Sequence, residues 1–134
     1  MIEFSVKGRG FKPVNLNWWR PTQEQWSKDL LRDNKKYWQK EEDPSTGRPW
    51  APLAPGYRAW KQAKTGGKPI LQLTGRMQKT AKIVPFESGL QVQTTSYGPY
   101  HQFGTGKLVA RPWMGVPKES LKGLPTLAWK NILR

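Results

Sequence analysis

The chain has no cysteine and a single histidine. The first absence removes a disulfide framework, a thiolate nucleophile and any cysteine-based metal site. The second isolates His101, because a catalytic triad needs a nucleophile and an orienting group, and a metal site needs several donors. Its expected role is structural, packed among aromatics and donating to a backbone carbonyl. Acid is also scarce: nine Asp and Glu stand against 23 Lys and Arg, for a formal charge of +14 over 134 residues. The only acidic cluster, Glu41-Glu42-Asp43, follows a helical pattern and reads as solvated, so acid–base and metal-assisted hydrolysis find no constellation to run on. No window approaches the ~18 apolar residues of a membrane span, and the opening MIEFSVKGRG lacks the apolar core of a signal peptide. These absences lead us to expect a soluble, cytosolically made chain with no catalytic residues, cofactor, metal or membrane partner.

What is present points the other way, toward binding. The excess positive charge attracts polyanions or acidic protein surfaces, and it is spread along the whole chain. Only 36% of residues are apolar, yet eight are tryptophan, and a buried aromatic removes roughly 150–250 Å² from water. A single domain spanning residues 1–134 is therefore expected, with a small aromatic core. Its 12 prolines and 13 glycines imply long connections, with flexible loops near 43–49, 61–69 and 104–107. The two candidate phosphate loops fail. TGGK (65–68) and GTGK (104–107) both lack the Walker spacing and the hydroxyl residue after lysine.

Along the chain, IEFSV (2–6) alternates as a short strand. A helix is expected from Thr22, with Thr22 as N-cap, Gln25 completing a capping box and Pro21 just before it. Trp19, Trp26, Leu30 and Tyr37 fall on one arc of that helix, with Leu31 and Trp38 flanking; such a stripe is a packing signal. Turn formers close it at 43–49. A second helix from about Pro55 is suggested by Trp50, Leu53, Tyr57 and Trp60, and a third by Leu73, Met77 and Ala81, with Thr74 as its cap. Residues 83–86 and 90–95 read as two strands. Pro85 places the first of these at an edge or a bulge. Leu124, Leu127, Ala128 and Ile132 suggest a C-terminal helix over 121–134, with Pro125 in its first turn. The fold class expected is α+β: a small antiparallel β-sheet packed by a long N-terminal helix, one or two shorter helices and a C-terminal helix.

The densest stretch is YGPYHQFGTGKLVARPWM (97–114). It reads as a turn at Gly98-Pro99, a flexible tip at Gly104–Gly106, and an extended run through Leu108–Ala110 into Arg111-Pro112. Stiff and aromatic, it suits a surface-presenting role.

Four segments together carry a resemblance: GRPWAPLAPGYRAWK (47–61), ILQLTGRMQKTAKI (70–83), YGPYHQFGTG (97–106) and ARPWMGV (110–116). Their order and spacing resemble the phage virion-morphogenesis, or tail-completion, family of Mu-like and P2-like phages. Met77 stands where that family usually has Leu, and Trp113-Met114 where it has Phe-Leu. The resemblance covers roughly residues 21–134. It implies a non-enzymatic virion protein, a ring of six or twelve copies around the DNA channel at the head–tail junction. Its partners would be copies of itself, adjacent head-closure or connector and tail-terminator or tail-tube proteins, and DNA in the lumen.

On that reading Tyr100, His101, Gln102, Phe103, Lys107, Arg111 and Trp113 are the expected subunit or partner interface, since Arg and Trp favour interface hot spots. Lys7, Arg9, Lys12, Lys64 and Lys68 are the expected polyanion contacts. The competing expectation is a sequence-independent nucleic-acid-binding module in packaging or replication, with aromatics stacking bases among cations.

Overall fold

The computed structural model describes residues 17–71 and 75–133, together with the backbone of residues 2–4. In chain order the elements are β1 (Ile2–Phe4), α1 (Trp19–Lys40), α2 (Pro55–Thr65), α3 (Arg76–Thr80), β2 (Lys82–Phe86), β3 (Gly89–Gln93), α4 (Gly98–Phe103) and α5 (Lys118–Ile132). The class is α+β, as expected.

α1 is the spine. Of the expected arc, Trp26 and Leu30 are buried, together with Trp38 from its flank, while Trp19 and Tyr37 are only partly covered; each buried side chain contributes about 1.5–3 kcal/mol by leaving water. Its start differs from the expected one. The helix begins at Trp19 with Trp18 as N-cap, so Thr22 is an interior residue and no capping box forms. The Thr22 hydroxyl instead donates to the Trp18 carbonyl at 2.5 Å and accepts from Asn131 Nδ2 at 3.0 Å. Pro21 is tolerated because a first-turn residue has no intrahelical N–H bond to lose. The helix closes on Glu41 in the left-handed region, φ 58°.

The sheet has the order β1-β3-β2, antiparallel throughout. β2 lies at an edge, where Pro85, opposite Leu90, costs no ladder bond to a further strand. Leu90 and Val92 of β3 are buried against the core with Ile83. Gln23 on α1 ties helix to sheet: its amide donates to the carbonyls of Glu87 and Gly89 in the β2–β3 turn, at 2.9 and 2.8 Å.

α5 packs along α1 on Leu124 and Leu127. Ser120 is the polar hinge of that contact: its carbonyl accepts from Trp26 Nε1 at 2.9 Å, and its hydroxyl donates to Asp33 at 2.7 Å. The helix starts at Lys118, earlier than the sequence suggested, so Pro125 sits inside it and not in its first turn. The proline removes the amide that would bond the Leu121 carbonyl, on a face where Leu121 is exposed to water.

α2 runs through Thr65, so the loop expected from residue 61 begins after it. Tyr57 and Trp60, the expected apolar face, stack on each other with centroids 5.5 Å apart and stay almost half exposed. The only side chain α2 buries is Lys61. α3 follows Gly75; its expected cap, Thr74, and Leu73 lie outside the described residues.

Candidate assembly interface

Residues 110–116 run extended through the middle of the molecule without joining the sheet. Backbone polar groups buried in this way must still be paired, and here side chains from the surrounding elements pair them. From α1, Asn34 forms a two-way bond to Gly115: Nδ2 donates to its carbonyl and Oδ1 accepts from its N–H, both at 3.0 Å. From α4, Gln102 Oε1 accepts from the amides of Trp113 and Met114 at 3.0 and 2.9 Å, while Nε2 donates to the Met114 carbonyl at 2.9 Å. Two indoles complete the set, Trp38 Nε1 donating to the Trp113 carbonyl and Trp50 Nε1 to the Pro112 carbonyl.

The segment answers with its own side chains. Arg111 donates to the carbonyls of Ala51 and Pro52 at 2.8 and 3.0 Å. Trp113, fully buried, donates to the Gly98 carbonyl at 3.0 Å and packs on Trp38 with ring centroids 5.4 Å apart. Gly115 is required by close approach, since a Cβ there would lie 2.0 Å from the Ser45 hydroxyl. Gly104 is required on two counts: φ is +75°, and a Cβ would meet the Leu108 carbonyl at 2.8 Å.

Residues 13–127 match the model of the phage virion morphogenesis family. The chain belongs to that family. Its role is accordingly in building the phage virion. No curated protein and no solved structure matches the chain. Within this family member, three of the four segments that carried the resemblance meet at the stitched segment. Trp50-Ala51-Pro52 comes from the first, Gly98 and Gln102 from the third, and residues 111–115 from the fourth.

The expected interface residues divide into two groups. Gln102, Arg111 and Trp113 turn inward: Trp113 is 0% and Arg111 8% exposed, and their hydrogen bonds hold the fold. His101 is half-buried. Its carbonyl accepts from the Arg111 amide at 2.7 Å, and its ring meets Tyr97 edge-on. The expected donation to a carbonyl is not made by Nδ1, which is buried with no hydrogen-bond partner among the described residues. Burial, and then the nearby Arg111 charge, hold the imidazole below its ordinary value. Tyr100 and Phe103 turn outward, 57% and 70% exposed, and Lys107 is exposed beside them. The same short helix thus locks one face with Gln102 and offers aromatics on the other.

The expected turn at Gly98-Pro99 is that helix, with Pro99 in its first turn. The expected flexible tip is a hydrogen-bonded turn, in which Thr105 and Leu108 exchange backbone bonds and the Thr105 hydroxyl accepts from Lys107 and Leu108. The acidic cluster is likewise engaged, with Glu41 accepting from the Ile70 amide and Asp43 from the Ser45 amide. Of the expected polyanion contacts, Lys64 and Lys68 are exposed, and Lys64 lies 4.9 Å over the Trp60 ring. Lys7, Arg9 and Lys12 lie outside the described residues.

Sequence reasoning passed over Lys61, Asn34 and Gln23. Lys61 is 3% exposed and donates to the Pro69 carbonyl at 2.7 Å; burial lowers its pKa, Arg111 adds to that, and Glu41 opposes it. The signal for Asn34 and Gln23 was a polar residue on or beside the apolar arc of α1. Among the described residues no cluster of His, Asp or Glu has metal-site geometry, and no helix is long and apolar enough to cross a membrane.

Proposed function

We propose that the protein is a non-catalytic neck or tail-completion subunit at the head–tail junction of a tailed phage, assembled in the host cytoplasm as a ring of six or twelve copies around the DNA channel. The observation that carries this reading is α4. Its inner face is fixed to the core through Gln102, while Tyr100 and Phe103 are held out to solvent on a rigid base. Large exposed aromatics on a small, firmly stitched subunit fit a surface made to be covered. Trp129, Ile132 and Leu133 repeat the pattern at the end of α5. In a ring, each subunit would present a different patch to each neighbour, as a head-to-tail interface requires. Tyr100, Phe103 and Lys107 are the contacts assigned to that interface, and His101, Gln102, Arg111 and Trp113 position them. The exposed cations, Lys64 and Lys68 among them, serve acidic neighbouring rings or the DNA in the lumen.

Negative-stain images of the purified protein, alone and with phage tails lacking it, test this. Closed rings, free or capping the tail end, are the expected result. A monomer that leaves tails bare yet shifts free DNA at near-physiological salt, with strong salt dependence, would replace this reading with a nucleic-acid-binding one.

A further inference from the structure

A groove of about 750 Å³ opens between α2, α3 and the run after α4. Its apolar lining comes from Leu53, Tyr57, Leu71, Met77, Tyr97 and Val109. Met77 forms a buried floor, whereas Tyr57, Tyr97 and Val109 are 44%, 38% and 59% exposed. Four cations share the lining, Lys61, Arg76, Lys107 and Arg111, and among the described residues no Asp or Glu does. Lys61 and Arg111 are nearly buried and give hydrogen bonds to neutral carbonyls, so they add positive charge behind the wall, while Arg76 and Lys107 are its exposed cations. Glu41, whose charge reaches Lys61, lines the neighbouring cleft instead.

We propose that this groove docks an extended, acidic segment of another protein, whose apolar side chains enter between Tyr57 and Val109 and whose carboxylates meet the cationic wall. Charge decides against the α5 stripe of a second copy as the occupant. The exposed apolar stripe of α5 is flanked by Lys122 and Lys130, and a cationic stripe in a cationic groove repels. Shape decides against a nucleic-acid backbone, because an apolar floor offers phosphates nothing. The inference stands on the groove and does not require the ring.

The probe is a fluorescein-labelled dodecapeptide alternating Glu with Leu, titrated with the full chain and followed by anisotropy; its Gln-for-Glu counterpart and an oligo-dT strand are the controls. The Glu peptide should bind, the Gln peptide at least about tenfold more weakly, a difference of about 1.4 kcal/mol. Val109→Asp with Lys107→Glu, two exposed changes, should lower Glu-peptide affinity by about tenfold or more, while Lys122→Glu on α5 leaves it unchanged. His101, the only histidine, gives an independent readout by NMR. A carboxylate beside Arg111 should raise its pKa when the Glu peptide binds. Equal binding of the two peptides, equal loss from Lys122→Glu, or displacement of the peptide by oligo-dT would overturn the proposal.

Discussion

Two regions of the subunit use the same residue types to opposite ends. Around residues 110–116, Trp38, Trp50 and Trp113 are buried and each indole N–H is paired with a backbone carbonyl. On the outer faces of α2, α4 and α5, Trp60, Phe103 and Trp129 are 47%, 70% and 61% exposed. The difference lies in the backbone beside them. Trp38 and Trp50 flank, and Trp113 belongs to, a segment outside the sheet whose carbonyls need donors, and an indole supplies both apolar bulk and one donor. Trp38 also sits on a helix, so what sets the outer aromatics apart is that no described carbonyl of such a segment accepts from them. Tryptophan content therefore says little about burial until the neighbouring backbone is known.

The largest effect should come from the inner region. Trp113→Ala is expected to cost about 3–5 kcal/mol, a large share of the 5–15 kcal/mol typical of a domain. Urea unfolding reads this directly, and a loss below about 1 kcal/mol would break the distinction between the two regions.

That distinction was only partly legible in the sequence. The arc of α1, the β2–β3 pair, the edge position of Pro85 and the helix from Pro55 all follow from periodicity and proline chemistry, which act locally. Thr22 and Pro125 were misplaced because their roles depend on where each helix begins, and those starts are set by tertiary bonds to Asn131 and Ser120. Gln102, Arg111 and Trp113 bond and pack inward, which the sequence did not reveal. Nothing local says which way a side chain on an extended, unpaired segment faces. Their partners are far away in sequence, as with Asn34 and Gly115.

A sharper test separates hydrogen bonding from packing in the stitched segment. Gln102→Met keeps length and bulk but strips the three bonds to Trp113 and Met114. We expect a loss of about 2–3 kcal/mol from the unpaired backbone groups, close to that of Gln102→Ala. If Gln102→Met is near neutral in urea, packing alone holds the segment.

Smaller effects should appear on acidification. Burial alone would raise the Asp33 carboxyl, but the Ser120 hydroxyl, Arg32 and Lys36 outweigh it and keep the group below its ordinary 3.8. Its folded form binds a proton more weakly than its unfolded form. Its contribution is therefore complete above that value and lost as pH falls through the lower, folded one. His101 is depressed below 6.5, so the unfolded chain takes up its proton first and stability declines as pH drops from that value toward the folded one. Urea midpoints across pH should show both windows. His101→Gln should flatten the upper and Asp33→Asn the lower; an unchanged upper slope in His101→Gln would place that titration elsewhere.

The smallest effect on stability should come from the outer aromatics, and it is the one that carries the functional claim. Phe103→Ser combined with Trp129→Ser removes exposed surface outside the core cluster, so the urea midpoint should move by no more than about 0.5 kcal/mol per site. The measurement to make is light-scattering mass of wild type and this double variant at matched concentration and salt. The account predicts a wild-type oligomer that falls to a smaller species in the variant, with the urea midpoint unchanged. An unchanged mass, or a midpoint that drops with it, would contradict the assignment of these aromatics to assembly.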